Sequence, residues 1–382
     1  MHNQSREVLL ITNDLGPRAG GIETFVLGLL ERVPKNCVVI FTSTQPNHEN
    51  FDQELFEKYG AIVIRDRAKI LLPTYRINKK AAQLLKQYGA RNVWFGAAAP
   101  LALMAGKLRK SGATNIVALT HGHEVWWAKL PIFKLAIRKI SKDVDWLTYL
   151  GDFTRSALLP AVKDERKLFK IAPGIDIAHF QPYSIDQDLV EKYRLQNKRV
   201  IVSVGRLVHR KGQDKLIEAM PKVLKQFPDA VLLLVGQGPI KSMLDKLIRH
   251  NSLEKNVIFT GRVQFRDLPK YIQLGEVFAM PSRDRFFGLE VEGLGIVYLE
   301  ASACGLPVVV GKSGGAPDAV LDGKSGYVID GTKPNEIADA LCKLLSDPKL
   351  AKQMGEVGRE WIEKEWQWSI WSSKFNKLLI KN

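Results

Sequence analysis

Short runs of β-branched and apolar residues alternate along this chain with longer segments in which apolar residues recur every three or four positions. The short runs are typical of buried strands, and the longer segments are typical of amphipathic helices. In the first half, the pattern predicts helices at 22–33, 74–88 and 99–111 and strands at 8–12, 37–43, 61–64, 92–96, 115–120 and 146–150. Strands that alternate with helices in this way predict a doubly wound parallel sheet of the α/β class.

The same pattern restarts in the second half of the chain. The predicted strands are 200–205, 230–236, 256–261, 277–281, 307–311 and 326–330, and the predicted helices lie at about 212–226, 239–251, 296–304 and 334–346. The stretch APGIDIAHFQPYSIDQD between the halves is rich in turn-forming and acidic residues, as linkers are. The sequence therefore predicts two Rossmann-like domains, 1–178 and 179–365, with an amphipathic C-terminal helix in 366–382 that packs back on the first domain.

Two doubly wound domains predict a ligand site in the cleft between them, because open α/β sheets bind ligands at the carboxyl ends of their strands. Dehydrogenases, periplasmic binding proteins and two-domain glycosyltransferases all fit that geometry, so the motifs must distinguish these classes.

Charge and cysteine content restrict the possible binding partners and the cellular location. The net charge is +16, and residues 61–142 hold 16 Lys and Arg against two acids, Asp66 and Glu124. This asymmetry indicates an acidic partner, namely an anionic membrane, a nucleic acid or a phosphorylated substrate, or else a solvated basic surface. Three widely spaced cysteines fit no disulfide or metal pattern. The apolar runs are too short for a signal peptide or a membrane span, so we expect a cytoplasmic protein.

Two motifs in the first domain follow predicted strands. In NDLGPRAGGIETFV, Gly20 and Gly21 open a helix, where backbone N–H groups favour an anion; the alternative is an ordinary glycine turn. In ALTHGHEVWW, His121 stands at the carboxyl end of a strand. It is a candidate hydrogen-bond partner for a polar substrate, or a turn histidine satisfied by the backbone.

The motif VSVGRLVHRKGQD places two cations, Arg206 and Lys211, just after the first strand of the second domain. A positive helix N-terminus beside cationic side chains is unfavourable unless an anion binds there. We therefore interpret the pair as a clamp for a diphosphate.

The stretch GLEVEGLGIVYLEA combines glycines at a helix start with two carboxylates, Glu292 and Glu300. A nucleotide-sugar accounts for both features, since its diphosphate takes backbone N–H groups while its sugar and ribose hydroxyls donate to the carboxylates. The following glycine pair, in SGGAPD at 313–318, fits the same interpretation. The residues predicted to line this part of the donor site are Gly293, Leu294, Gly295, Ile296 and Val297.

Three stretches, RLVHRKGQD, GLEVEGLGIVYLEASACGLPVVVGKSGGAPD and DVDWLTYL, together resemble the retaining glycosyltransferases of family 4, which have the two-domain GT-B fold. Glu292 and Glu300 match the E-x7-E signature of that family, and the resemblance covers essentially the whole chain. Two more stretches, NVWFGAAAPLALMAG and THGHEV, resemble the actinobacterial GDP-mannose-dependent mannosyltransferases that act on phosphatidylinositol mannosides.

This resemblance implies transfer of α-mannose from GDP-mannose to the inositol of a membrane glycolipid, with retention and without a bound metal or other cofactor. It implies that Arg206 and Lys211 hold the diphosphate, and that His121 contacts the donor sugar. It also implies that Val263 contacts the base and that Glu292 and Glu300 hold hydroxyls. The implied catalytic residues are His121, Arg206, Lys211 and Glu292.

The chain departs from the family where a run of glycines is expected, because it has Arg285, Phe286, Phe287 and Gly288 there. The donor sugar therefore stays open, and the alternative is another nucleotide-sugar, such as UDP-glucose, or another glycolipid acceptor. A nucleic-acid-binding module is a rival from a different class, but it gives no reason for Glu292 and Glu300, so we expect no nucleic-acid partner.

A basic segment with aromatic residues, WWAKLPIFKLAIRKISK at 126–142, predicts reversible binding to the anionic inner face of the cell membrane; the alternative is that its apolar side belongs to the core. The apolar residues expected at the interface are Trp126, Trp127, Leu130, Ile132, Phe133 and Ile137, and the cations expected at head groups include Lys134, Arg138 and Lys139. The DVD sequence at 143–145 matches a metal-binding motif of a different glycosyltransferase architecture, and we interpret it as the structural start of a strand.

Overall fold

The computed structural model describes residues 5–17 and 20–380, apart from the side chain of Lys129, and it divides into two compact units. Unit 1 holds the chain up to Gly174 and again from Trp368 onward, and unit 2 is Ile175–Gln367. The sequence places these two crossings at residues 178 and 366.

Unit 1 is built on a seven-stranded, wholly parallel sheet with the strand order β3-β2-β1-β4-β5-β6-β7. Its strands are β1 Val8–Thr12, β2 Val38–Ser43, β3 Ile62–Asp66, β4 Asn92–Phe95, β5 Asn115–Ala118, β6 Trp146–Tyr149 and β7 Leu168–Lys170. Its helices are α1 Gly21–Leu30, α2 Glu49–Tyr59, α3 Tyr75–Gln87, α4 Ala105–Lys110, α5 Glu124–Lys129, α6 Pro131–Asp143, α7 Asp152–Leu158 and α15 Trp368–Leu379.

Unit 2 repeats the design with a six-stranded parallel sheet in the order β10-β9-β8-β11-β12-β13. Its strands are β8 Arg199–Val204, β9 Ala230–Val235, β10 Val257–Gly261, β11 Val277–Met280, β12 Val308–Gly311 and β13 Gly326–Ile329. Its helices are α8 Gln187–Tyr193, α9 Gln213–Gln226, α10 Lys241–His250, α11 Leu268–Ile272, α12 Ile296–Ala303, α13 Pro334–Ser346 and α14 Pro348–Glu365.

Strands β1, β2 and β9 are buried along their length, which is why they read as apolar runs rather than as alternating patterns. Ile11, Phe41 and Phe95 are fully buried in the core of unit 1, and Ile201 and Leu232 are fully buried in that of unit 2. Each such side chain contributes about 1.5–3 kcal/mol when it leaves water. The predicted α/β class with two doubly wound parallel sheets is confirmed.

The C-terminal helix α15 belongs to unit 1 and packs on its central strands. The Phe375 ring lies 4.8 Å from that of Trp94 on β4. The Asn115 side chain on β5 donates to the carbonyls of Leu378 and Leu379, at 2.8 and 2.9 Å. The amphipathic pattern at the end of the chain thus reflects burial against this sheet.

Two details differ from the sequence-based expectation. Strand β7 was not predicted, because its three residues are too few to show a period. Asp143 was expected at the start of a strand, but it is the last residue of α6, and β6 begins only at Trp146.

In both sheets the strand order reverses beside the first strand, between β1 and β4 in unit 1 and between β8 and β11 in unit 2. Loops that leave the carboxyl ends of strands on either side of such a point form a crevice suited to ligands. The predicted site residues of each unit can now be located relative to its crevice.

Candidate functional site

The segment after β8 places Lys211 at the start of α9. The chain passes through Gly205, makes a 3₁₀ turn over His209–Lys211, and enters the helix at Gly212, whose φ is +76°. A Cβ at Gly212 would lie 2.0 Å from the carbonyl oxygen of Pro281 after β11, so only glycine fits. Contact between the two loops thereby fixes the Lys211 backbone.

Lys211 and Glu292 form a buried ion pair in unit 2. The Nζ atom of Lys211 lies 2.9 Å from Oε2 of Glu292, and the two residues are 9% and 7% exposed. The Arg210 guanidinium donates to the same carboxylate oxygen. Burial alone would raise the pKa of Glu292, but the charges and hydrogen bonds of Lys211 and Arg210 outweigh it and lower the pKa. Glu292 is therefore an ionised carboxylate beside two cations.

Arg210 is a functional candidate that the sequence motifs did not single out. Besides Glu292, its Nε lies 3.7 Å from Glu290, and its backbone carbonyl accepts from the Arg283 N–H at 2.9 Å. In the sequence, Arg210 is the middle residue of HRK and directly precedes Lys211. However, its partner is 82 positions away, and only the fold brings that partner close.

The loop before α12 carries Glu292 and then presents backbone N–H groups at the helix start. Gly295, with φ +79°, precedes the first helical residue, Ile296, and a Cβ on Gly295 would press on the Tyr298 ring at 2.4 Å. The N–H groups of Ile296 and Val297 thus begin the helix, where the dipole favours an anion. The predicted stretch Gly293–Val297 lies where the sequence placed it.

The second glycine pair, Gly314 and Gly315, packs closely against the loop that carries Glu292. A Cβ on either residue would lie 2.2 Å from a backbone carbonyl, that of Glu292 or that of Gly293. The Gly315 N–H also donates to the carbonyl of Glu292 at 2.8 Å, and the Glu292 N–H donates to Ser313 Oγ at 3.2 Å. These glycines position the Glu292 loop by close packing.

Glu300 lies on α12 and is 6% exposed. Burial raises its pKa to about 7, and the Lys211 charge offsets only part of that rise. The two signature carboxylates therefore differ in their pKa. The pKa of Glu292 is lowered by its two cationic partners, whereas that of Glu300 lies near neutral pH.

Two other predicted residues of unit 2 lie on its surface loops. The Arg206 side chain is exposed, and its carbonyl accepts from the side chain of Gln213 at 3.3 Å. Val263, after β10, lines a cavity of about 370 Å³ together with Thr260, Arg262 and Tyr271. Within unit 2 the structure thus gathers Lys211, Glu292, Glu300 and the start of α12 into one site, but it shows no contact between the Arg206 side chain and that cluster.

His121 lies in unit 1, directly beyond β5. Its Nε2 is 2.5 Å from the carbonyl oxygen of Gly96, at the end of β4, and since a carbonyl only accepts, Nε2 carries the proton. Burial lowers the pKa of His121, although Glu124 and the Gly96 carbonyl act in the opposite direction. The ring is therefore neutral and leaves Nδ1 as its acceptor. The backbone satisfies one nitrogen, and the other remains suited to a hydroxyl.

The glycine motif of unit 1 lies beside His121. Gly20 has an extended backbone, and α1 begins at Gly21, whose added Cβ would meet nothing within 4 Å. Phe25 on α1 packs edge-to-face on the His121 ring, with the ring centres 5.6 Å apart. Open space at Gly21 leaves room for a ligand group at this helix start.

The DVD motif is engaged in structural contacts. Asp143 pairs with Lys139 at 2.8 Å, and Asp145 accepts from Arg109 at 2.6 Å and from the Ile116 backbone at 2.8 Å. Across residues 5–17 and 20–380 there is no cluster of three or more His, Cys, Asp or Glu side chains that could hold a metal ion. Asp143 and Asp145 thus fit the structural interpretation of this motif.

Several known proteins resemble this chain in sequence. Residues 186–361 match the family model described as glycosyl transferases group 1. The chain is 41% identical over 377 residues to the GDP-mannose-dependent alpha-(1-6)-phosphatidylinositol monomannoside mannosyltransferase of Mycolicibacterium smegmatis, covering 97% of this chain and 98% of that protein. It is 39% identical to the enzyme of Corynebacterium glutamicum named for the monoacylated form of that acceptor, over 98% of both chains.

Solved structures support the fold. The HepE protein of Anabaena in complex with UDP superposes with a TM-score of 0.82, at 17% identity, over 98% of this chain and 99% of that one. Sucrose-phosphate synthase of Thermosynechococcus elongatus superposes with a TM-score of 0.77, at 21% identity, over 98% of both chains. The predicted GT-B fold is confirmed by these neighbours.

Proposed function

The chain belongs to the group 1 glycosyl transferases, alongside the GDP-mannose-dependent mannosyltransferases that it matches over nearly its full length, and from that membership we propose that it transfers mannose from GDP-mannose to a phosphatidylinositol mannoside lipid. The observation that carries the proposal is the Lys211–Glu292 pair beside the N-terminus of α12. This pair combines a diphosphate-binding cation with an ionised acceptor for sugar hydroxyls.

The chemistry follows from the charges in unit 2. The bond between the mannose anomeric carbon and the diphosphate breaks, the acceptor hydroxyl attacks from the same face, and the leaving phosphate takes the hydroxyl proton. Lys211, Arg206 and the N–H groups at the start of α12 stabilise the charge that develops on the leaving group. Glu292 and Glu300 accept hydrogen bonds from the sugar and the ribose. In unit 1, His121 Nδ1 is an acceptor suited to a sugar hydroxyl.

A donor and acceptor screen tests the function. The purified protein is incubated with GDP-mannose, GDP-glucose, UDP-glucose or UDP-galactose and with phosphatidylinositol monomannoside in mixed micelles. We expect a dimannosylated lipid with a new α linkage from GDP-mannose alone. Transfer from UDP-glucose and none from GDP-mannose would identify a different donor.

We expect transfer to persist in a chelator. Cations and backbone N–H groups meet the charge of the diphosphate in the proposed site, so a divalent ion is not needed. The rate of mannose transfer is measured after dialysis against EDTA, with and without added Mg²⁺ or Mn²⁺. Complete loss in EDTA that either ion restores would show that a metal takes part.

The lipid acceptor requires contact with a membrane surface, and α6 of unit 1 is the proposed contact. None of the helices in the part of the chain described by the structure has the length and apolar character to cross a bilayer. Ile132 and Leu135 on α6 are 79% and 61% exposed, and Arg138 and Lys139 on the same helix are also exposed. An amphipathic basic helix of this kind binds anionic interfaces reversibly.

The apolar side of this segment differs in part from the prediction. Ile137 is fully buried, so the prediction that it enters the membrane is wrong. Trp126, Trp127 and Phe133 pack on one another with ring centres 4.9–5.4 Å apart, and Trp127 also packs on the core of unit 1. The tryptophans therefore pack against Phe133 of α6 on the protein side. We assign the membrane contact to Ile132, Leu135 and the flanking cations.

The double variant Lys134→Glu/Arg138→Glu is expected to bind anionic vesicles at least about 30-fold more weakly, because each cation near such a surface contributes about 1 kcal/mol. Lys139 is left unchanged, because it pairs with Asp143. Co-sedimentation with phosphatidylglycerol vesicles at low and high salt measures the effect. Lys246→Glu/Arg249→Glu on α10 carries the same charge change and serves as the control. Equal sedimentation of both double variants would exclude α6 as the membrane contact.

A further inference from the structure

Residues 285–290 form a short hairpin in unit 2, at the position where the family resemblance predicts a run of glycines. Its base is closed by backbone hydrogen bonds between Arg285 and Glu290 at 2.9 and 3.2 Å and by an ion pair between their side chains at 3.0 Å. Two further backbone bonds, from Gly288 to Arg285 and from Leu289 to Phe286, close its tip. The hairpin is thus a defined structural element.

The tip holds two phenylalanines in a backbone conformation that side chains disfavour. Phe286 and Phe287 have φ of +51° and +55°, and Gly288 continues the left-handed turn at +78°. Only glycine, and to a lesser degree asparagine, adopts this region without cost, because a Cβ crowds the following carbonyl. Strain of this kind persists at sites where it serves a function.

The same tip is apolar and exposed. Phe286, Phe287 and Leu289 are 62%, 106% and 44% exposed. The Arg285 guanidinium lies 4.6 Å from the centre of the Phe286 ring and supports it on one side. The hairpin therefore combines backbone strain with an uncovered apolar surface, and both costs are offset when an apolar partner covers the rings.

The base of the hairpin is joined to the proposed donor site. Glu290 lies 3.7 Å from the Nε of Arg210, and the same guanidinium donates to Glu292. The rings thus project from a loop whose next residues hold the donor. A molecule that covers the rings while reacting at the donor sugar must have a polar head and an apolar tail.

We propose that the 285–290 hairpin binds the acyl chains of the lipid acceptor, so that Phe286 and Phe287 determine selectivity for an acylated acceptor. This inference rests on the proposed function, since it requires a lipid acceptor. The covering partner is apolar, because the tip offers two rings and a leucine, and the charged side chains of the hairpin, Arg285 and Glu290, are paired with each other at the base.

The test variant is Phe286→Asn/Phe287→Asn, because asparagine tolerates the left-handed backbone while removing the rings. Kinetics are compared on diacylated phosphatidylinositol monomannoside and on its deacylated, water-soluble form. We expect KM for the acylated acceptor to rise about tenfold or more, as fits the burial of two phenylalanine rings. KM for the deacylated acceptor and the Kd for GDP are expected to stay unchanged. Phe56→Asn removes a ring of similar exposure (52%) from α2 and is the matched control.

A labelling experiment gives a readout that does not depend on catalysis. The native cysteines Cys37, Cys304 and Cys342 are buried, so a Phe287→Cys variant takes a polarity-sensitive fluorophore at one accessible position. A blue shift on adding acylated acceptor in micelles, absent with the deacylated form, is expected. If that shift occurs but no mannose is transferred, mannose transfer from GDP-mannose fails as the proposed function, while binding of the acylated lipid by the hairpin stands.

Three results would overturn the inference. These are an unchanged KM for the acylated acceptor in the double asparagine variant, an equal rise for both acceptors, or no fluorophore shift with acylated lipid. An equal rise would mean that the rings shape the polar part of the site. Concentration-dependent self-association that the asparagine variant loses, without any lipid effect, would assign the rings to contact with a second copy of the chain.

Discussion

Replacing Lys211 or Arg206 by alanine is expected to lower kcat/KM for GDP-mannose by about 30-fold to 1,000-fold, which corresponds to about 2–4 kcal/mol of lost transition-state stabilisation. Both cations follow β8, where the leaving diphosphate is proposed to bind. A fixed positive charge beside the departing phosphate stabilises the transition state, because negative charge develops on that phosphate as the bond breaks. Steady-state release of GDP, with acceptor in excess, measures the loss.

The two substitutions are expected to differ in a second respect. Lys211 pairs with buried Glu292, so Lys211→Ala also removes one of the two cations that keep this carboxylate ionised and is expected to lower stability. Arg206 is exposed, so its replacement should reduce turnover without changing the urea midpoint. Lys215→Ala, one helical turn beyond Lys211 and paired on the surface with Glu218, is the control. Unchanged kinetics in both Arg206→Ala and Lys211→Ala would exclude the diphosphate clamp.

Replacing Glu300 by glutamine is expected to stabilise the ligand-free protein at pH 8 by about 3 kcal/mol and to change little at pH 4.5. Burial raises the pKa of Glu300 to about 7, from an ordinary value of 4.5. The folded protein therefore keeps a proton that the unfolded chain releases between these two values. The free energy of unfolding consequently falls as pH rises from 4.5 to 7, and a glutamine avoids that loss because it cannot ionise.

Urea unfolding at pH 4.5 and pH 8 measures the difference, with Glu254→Gln at an exposed position as control for the substitution itself.

The Glu300→Gln variant should bind GDP-mannose more weakly, because the charged acceptor for ribose hydroxyls is lost. The Glu300 carboxylate thus lowers the free energy of unfolding but strengthens ligand binding. A Glu300→Gln variant that is less stable than the parent at pH 8 would contradict this account.

Several site residues could be located from the sequence because their motifs lie next to strong strand signals. Lys211 follows a strand of six residues that is buried over most of its length, and the start of α12 is marked by Gly295. His121 likewise stands just past β5. In parallel sheets the chain leaves each strand at the same edge, so position after a strand already places a residue at the crevice.

Other features depend on distances along the chain that no local pattern reports. Arg210 reaches Glu292 across 82 positions, and Gly314 and Gly315 pack against the loop that carries Glu292. These contacts arise because the loops after β8, β11 and β12 leave strands that are neighbours in the sheet. Strand order is a property of the whole sheet. The sequence therefore identified the individual site residues, but not which of them are in contact.

By itself, the sequence determined the α/β class, the two domains and the chemical groups of the site, since periodicity and motif spacing report local structure directly. Only the tertiary structure decided which charges meet, that Ile137 is buried while Ile132 is exposed, and that Phe286 and Phe287 adopt a left-handed turn. The physical reason is that burial and backbone strain are set by what surrounds a residue after folding. That environment comes from segments far away in the chain.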